Sequence, residues 1–491
     1  MKKMKRIIVL VLTMALLCST SVFAQETDNY LYNDYGSAVP APNGYSLSGV
    51  YSGKDLGIDS LKTPQDLFVD GDKNIYIADT GNNRIVILDE NLQYKKEIKE
   101  FKNTEIPTLL EPYGVYVSKD GYLYICDSGN ARVIKSDMDA NVITEYKKPD
   151  TNVLTEDFVF KPYKVALDSA GGVYVVAFGL YQGLIYYNND GDFLNFYGSN
   201  RIEVTVQVLA DNLWKKIFTK EQRESSKREI PTEYSNLYID KDNFIYTTTL
   251  KTDNSIDEAK KLNALGNNVL KINSYNTYYS KNNYGDIDVE WSKGIKVDNS
   301  FVDVFVGEDG NMVLLDNERC RFFEYSKDND LITVYGTKSN KKGDFLNPTA
   351  IDMVNGKYLI LDAEKNNITV IEPTEYMNKL KGMLTYYSEG LYEETIEGFE
   401  EILKENNNLS LAYKSIGKAY LQKGEYKKAL DYLKKANDRQ GYSDAFKEYR
   451  KEFIRDNLLI LLAGAIIVII ALKIFLSKFR AWLIKGREDE I

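Results

Sequence analysis

Four aspartates stand at one recurring place in the chain: Asp79, Asp127, Asp316 and Asp362. Three are followed by an arginine five positions on, at Arg84, Arg132 and Arg321, and the fourth by Asn367. Paired carboxylate and guanidinium groups can do two things. They can clasp their own turn, Asp accepting N–H bonds and Arg bridging to a carboxylate or a carbonyl. They can also form a polar, charge-paired ring on one face that recognises a glycan or a peptide. Both readings stay open for Asp79, Arg84, Asp127, Arg132, Asp316 and Arg321. Histidine chemistry is closed to them, because the chain has no histidine. Histidine-bound zinc and Ser-His-Asp catalysis are therefore excluded by composition. No catalytic residue, metal ligand or cofactor is assigned.

The elements that must position these residues repeat. One unit runs from Pro64 through Asp70-Gly71, Ile75-Tyr76-Ile77 and Asp79-Thr80-Gly81-Asn82 to Arg84. A second runs from Pro112 through Asp120-Gly121, Leu123-Tyr124-Ile125 and Asp127-Ser128-Gly129-Asn130 to Arg132. Weaker copies begin at Pro162, near Asn236, near Val302 and at Pro348. The early spacing is about 48 to 50 residues, and two inserts, near 201–230 and 251–268, widen the middle of the array. Each unit has three short apolar runs separated by Asp-Gly or Gly-Asn turns, the pattern of a small antiparallel sheet. One such sheet cannot cover its own faces, so about six arranged around an axis bury them on one another. The expected fold is mainly β, a six-bladed β-propeller over residues 45–373, with Tyr45 to Tyr51 as the strand that closes the ring.

These units resemble the NHL-repeat family, whose blades carry this order of Pro, apolar run, Asp-Gly, apolar run and Asp-x-Gly-Asn-x-Arg. The resemblance covers roughly 310 residues and implies a propeller with a ligand or protein surface on one face of the disc. It does not imply catalysis. Lyases of the NHL type bind zinc through histidines, which are absent here. Lactonase-like propellers hold a divalent cation with carboxylates and Asn, and they define the alternative reading, an extracellular hydrolase or lactonase.

Past Pro373 the period becomes helical. Tyr386, Gly390, Tyr392 and Phe399 are matched about 34 residues later by Tyr420, Gly424, Tyr426 and Leu433, a period that resembles tetratricopeptide repeats. The region 374–455 is expected to be such a short helical stack, with Tyr386, Tyr392, Tyr420 and Tyr426 as candidate groove residues. The equal alternative is a rigid spacer. Residues 457–476 then form an apolar stretch long enough to cross a bilayer. At the other end, 1–24 has the basic, apolar and small-residue order of a signal peptide, followed by a linker over 25–44. The expected topology places the bulk outside the cytoplasm and leaves residues 477–491 as a short cytoplasmic tail.

Net charge is −10, so nucleic acid is not an expected partner. Beyond the signal peptide only Cys126 and Cys320 remain, at different blade positions, and no disulfide is expected. The leading functional expectation is a membrane-anchored binding or scaffold protein in an envelope or transport complex. Its propeller and helical surfaces would meet a protein, or a glycan or peptide.

Overall fold

The computed structural model describes residues 29–33, 36–198, 233–249, 258–270, 284–286, 290–292, 295–297 and 299–488. The expected signal peptide, the insert near 201–230 and residues 251–257 of the second insert lie outside the described residues.

Alternating apolar runs and positive-φ turns give six antiparallel sheets arranged as a propeller. Blade 1 comprises Asp66–Val69, Ile75–Asp79, Arg84–Leu88 and Tyr94–Ile98. Blade 2 comprises Pro112–Val117, Leu123–Asp127, Arg132–Ser136 and Val142–Tyr146. Blade 3 comprises Pro162–Leu167, Val173–Ala177, Leu184–Tyr187 and Phe193–Tyr197. Blade 4 shows three strands among the described residues, Tyr234–Ile239, Ile245–Thr249 and Ala259–Leu262. Blade 5 comprises Phe301–Val306, Met312–Asp316, Arg321–Tyr325 and Leu331–Tyr335. Blade 6 comprises Pro348–Val354, Lys357–Asp362 and Asn367–Pro373, and its fourth strand is Tyr45–Ser52. Tyr45 lies opposite Pro373 and Tyr51 opposite Ile368, so the ring closes by pairing its two ends.

Complete blades have four strands where the apolar pattern marks three. In blades 1 and 2 the fourth strand faces water at the rim, and its sequence is correspondingly polar, as in Tyr94-Lys95-Lys96-Glu97-Ile98 of blade 1, whereas Leu331–Tyr335 of blade 5 is apolar and buried. The first strands of successive blades lie side by side around the axis. Apolar clusters fill the gaps between blades. Leu67, Ile77 and Val86 of blade 1 meet Leu359, Leu361 and Ile368 of blade 6, all essentially inaccessible to water. Each such side chain contributes about 1.5–3 kcal/mol on burial. At the turn between first and second strands an Asp recurs as a staple. Asp70 accepts the Asn74 N–H at 2.8 Å and the Tyr76 hydroxyl at 2.9 Å. Asp168 does the same for Gly172 and Tyr174.

The C-terminal part is helical: α1 (Glu375–Glu389), α2 (Tyr392–Glu405), α3 (Ser410–Gln422), α4 (Tyr426–Lys435), α5 (Arg439–Asp456) and α6 (Leu458–Glu488). Gly417 of α3 lies against Leu433 of α4, where an added Cβ would come within 2.6 Å of the Leu433 side chain. Ala412, Ala419 and Ala429 are fully buried. Within α6, Leu458–Arg480 is long and apolar enough to cross a membrane.

Candidate functional site

In an antiparallel meander, second-to-third-strand turns and blade-to-blade connections emerge on one face of the disc. The Asp and Arg residues singled out by the sequence sit just beneath that face. Asp79 accepts the Lys62 N–H at 2.7 Å, the Asn82 amide at 2.8 Å and Arg84 Nε at 2.7 Å. Arg84 also bonds Glu97 at 2.8 Å and the Asp59 carbonyl at 2.9 Å. Blade 2 repeats the arrangement. Asp127 accepts from Leu110 N, Asn130 and Arg132 Nε, while Arg132 reaches Glu145 at 2.6 Å and the Ile106 carbonyl at 2.6 Å. All four residues are buried. Each clasp ties a turn, the fourth strand and the incoming connection of its blade together.

Blade 5 departs from the pattern. Arg321 lies against Asp286 at 3.2 Å and takes no part in a pair with Asp316. Asp286 also forms an ion pair with Arg319 at 2.8 Å and accepts the hydroxyls of Tyr32, at 2.9 Å, and Tyr30. Asp316 keeps the N–H bonds of Ser300 and Glu318, but its Oδ2 is buried without a partner. Burial pushes its carboxyl up to about 6. Blade 6 has no arginine, and Asp362 accepts only N–H groups, among them Leu346, Glu364 and Lys365. The clasps thus differ from blade to blade and do not form one charge-paired ring. Cys126 and Cys320 are unpaired and buried, as the sequence implies.

A second group of charges, not singled out by the sequence, lies on the propeller axis. Every first strand from blade 2 to blade 6 slips register just after its opening residue. Such a bulge re-aims the next side chain. The equivalent position is Asp66, Gly114, Lys164, Asn236, Asp303 and Ala350 in blades 1 to 6. Lys164 of blade 3 crosses blade 2 to reach Asp66 Oδ1 at 2.7 Å and lies 3.8 Å from Asp303 of blade 5. Gly114 permits the crossing, since an added Cβ would come within 2.5 Å of the Tyr163 carbonyl and 3.0 Å of Lys164 Cα. The remaining carboxylate oxygens take backbone N–H groups of neighbouring blades. Val115 donates to Asp66 at 2.9 Å and Ile351 to Asp303 at 2.7 Å. Val69 donates to Asp352 at 2.7 Å.

Burial raises the carboxyls of this cluster against their usual range: Asp66 upward, Asp303 to about 6 and Asp352 to about 7. Burial alone lowers Lys164, but the charges of Asp303 and Asp66 outweigh it, and the ammonium holds its proton more firmly than usual. One cation thus faces three carboxyl groups, each of which burial makes harder to ionise. The sign of the pH effect follows. Between about pH 4 and 7 the folded chain binds more protons at these sites than the unfolded chain, so stability falls as pH rises. Carboxyls held below their usual range, such as Glu97 beside Lys99 and Arg84, act only at lower pH. We expect the propeller of the full chain in detergent to melt at a higher temperature at pH 5.5 than at pH 8. Equal or reversed midpoints would show that the axial acids ionise normally.

The same face also carries apolar side chains. Ile106 and Leu110 lie on the connection from blade 1 to blade 2, Val153 and Val159 on the next connection, and Phe178 and Tyr181 on the following turn. All six are exposed, Val153 and Val159 by more than half. Phe178 packs edge-on to Tyr113 and against Tyr163, so part of this surface rests on a rigid aromatic base. In the helical unit, Tyr386 and Tyr392 flank the Gly390 turn, and Tyr420 and Tyr426 flank the Gly424 turn. Tyr420 packs on Tyr432, with Lys428 Nζ 5.0 Å from its ring centre. Among the described residues no group of three or more His, Cys, Asp or Glu side chains is placed to hold a metal ion.

No protein-family model matches the chain, and no curated protein sequence matches it. Solved structures do. Virginiamycin B lyase from Staphylococcus aureus is 12% identical, with 67% of this chain and 89% of that one covered and a TM-score of 0.38. Kuenenia stuttgartiensis hydrazine synthase is 12% identical, covering 64% and 96%, at a TM-score of 0.40. The extracellular domain of a one-component system from B. thetaiotaomicron is 13% identical, covering 72% and 42%, at 0.37. Likeness at this level carries nothing about activity.

Proposed function

We propose that this chain is a membrane-anchored, extracytoplasmic scaffold that binds a protein through the turn face of its propeller. The observation that carries the reading is the exposed apolar group Ile106, Leu110, Val153, Val159, Phe178 and Tyr181, gathered on one face of blades 1 to 3. Exposed apolar side chains grouped in this way, above the buried clasps of blades 1 and 2, suit a protein surface better than a soluble substrate. The charges at the axis and in the clasps of blades 1 and 2 are engaged by one another and by backbone N–H groups, which supports binding rather than catalysis. The candidate span Leu458–Arg480 supplies the anchor. The signal-peptide order of the first residues supports an outward-facing bulk. The NHL-like order of the blades and the tetratricopeptide-like period of α1 to α4 support a reading as two interaction modules on one chain.

The test is recovery of partners from detergent-solubilised native membranes. The full chain is expected to retain a stoichiometric protein partner. A Leu110→Ser/Phe178→Ser/Tyr181→Ser variant is expected to lose it while melting within a few degrees of the parent. A partner retained equally by both, or retained by neither, overturns the reading.

A further inference from the structure

Helix α5 carries an aromatic stripe that the packing of its own helical unit leaves uncovered. Tyr442, Phe446, Tyr449 and Phe453 succeed one another at steps of four, three and four residues. Tyr442, Phe446 and Phe453 are 37%, 45% and 48% exposed. The rings pair along the helix, Tyr442 stacked with Phe446 at 6.3 Å and Tyr449 tilted against Phe453 at 6.4 Å. A different face of α5 is the buried one: Gly441 and Ala445 turn inward, and Ala445 packs with Ala429 and Leu433 of α4.

What covers the stripe follows from its height. Only Asn457 separates α5 from α6, and helical bonds run through it, from Asn457 N to Phe453 O at 3.1 Å and from Leu461 N to Asn457 O at 2.9 Å. At 1.5 Å per residue, Phe453 stands about 7 Å along the helix from Leu458 and Tyr442 about 24 Å. The headgroup layer on one side of a bilayer is only about 5–8 Å deep. Lipid can therefore cover Phe453 but not Phe446 or Tyr442, and the upper stripe needs protein. The four-three-four spacing is that of the seam between two supercoiled helices. Arg450 borders the seam on one side and Glu452 on the other, so two helices side by side in the same direction set flanks of opposite charge together. Anchors in one membrane present the stripes of two copies at the same height and in that same direction.

We propose that α5 is the seam of a parallel homodimer, in which Tyr442, Phe446, Tyr449 and Phe453 of one copy pack against those of a second. The proposal rests on the membrane-anchor reading above. Its test is oxidative crosslinking of the full chain in membranes. Single cysteines are introduced by Phe446→Cys, Tyr449→Cys and Phe453→Cys at the seam, and by Lys447→Cys and Lys451→Cys away from it. The native Cys126 and Cys320 are buried, and the parent chain sets the background. The three seam variants are expected to form a covalent dimer and the two controls to lose it. Adding Phe446→Glu is expected to abolish the crosslink of Tyr449→Cys. Crosslinking that is absent at the seam, or equal at seam and control positions, overturns the dimer. Alkaline carbonate washing of the same membranes separates the two readings. A chain that washes off overturns the anchor, whereas a retained chain without seam crosslinks overturns the dimer alone.

Discussion

Replacing Lys164 by Met is expected to destabilise the propeller by about 3–5 kcal/mol, the usual cost of breaking a buried ion pair from one side. For a propeller of roughly 330 residues that corresponds to a fall in melting temperature of about 4–7 °C. Lys164 Nζ lies 2.7 Å from Asp66 and 3.8 Å from Asp303, with Asp352 close enough to act on the same charge. Without the ammonium, three buried carboxyls that already resist ionisation face one another across the axis. Methionine keeps most of the side-chain volume, so the loss reports charge rather than a cavity. The cycle with Asp66→Asn isolates the pair, because the double variant leaves one carboxylate fewer unbalanced. A coupling above about 1 kcal/mol between the two sites is expected. Thermal unfolding of the full chain in detergent measures both. A loss below about 1 kcal/mol for Lys164→Met would mean that the axial charges are solvated and lock nothing.

The contrast between this cluster and the blade clasps shows what a sequence reveals. Asp79, Arg84, Asp127 and Arg132 announce themselves by repetition, since each blade must solve the same turn problem. The axis poses a different problem. Six copies of one residue cannot meet at a point, so the position two past the blade opening holds Asp, Gly, Lys, Asn, Asp and Ala in turn. The signal was a break in the repeat at one place, and only the register slip of the first strands of blades 2 to 6 reveals that these six positions are equivalent. Arg321 illustrates the reverse error. It repeats the local pattern, yet its partner Asp286 comes from far off in sequence, and local spacing cannot report that. The fourth strands of blades 1 and 2 were invisible for a third reason. Their outer faces meet water, so Tyr94–Ile98 and Val142–Tyr146 lack the apolar run that marks a strand. The six-bladed ring and its closing strand were legible because both follow from covering apolar faces and edges, which composition does record.

Ring closure supplies the second large effect. A propeller closed by pairing its two ends is only as secure as that seam, and Tyr45 is its firmest point. Its strand pairs with Asn367–Pro373 of blade 6, while its hydroxyl donates to Glu324 of blade 5 at 2.5 Å. The ring is 1% exposed and lies 5.6 Å from Phe322 and 5.2 Å from Tyr358, centre to centre. One side chain thus binds the closing strand to two blades at once. Tyr45→Ala removes a buried aromatic and a partner of a buried carboxylate, at an expected cost of about 3–5 kcal/mol. Tyr45→Phe keeps the ring and loses only the hydroxyl, at about 1–3 kcal/mol. The two can be told from a general loss of stability by where the backbone opens. Amides of Asn367 to Glu372 are expected to exchange with solvent faster in Tyr45→Ala, while those of Leu123–Asp127 in blade 2 keep their protection. Faster exchange in both blades alike would mean that the ring unfolds as a single unit and that the closing strand is not where it opens.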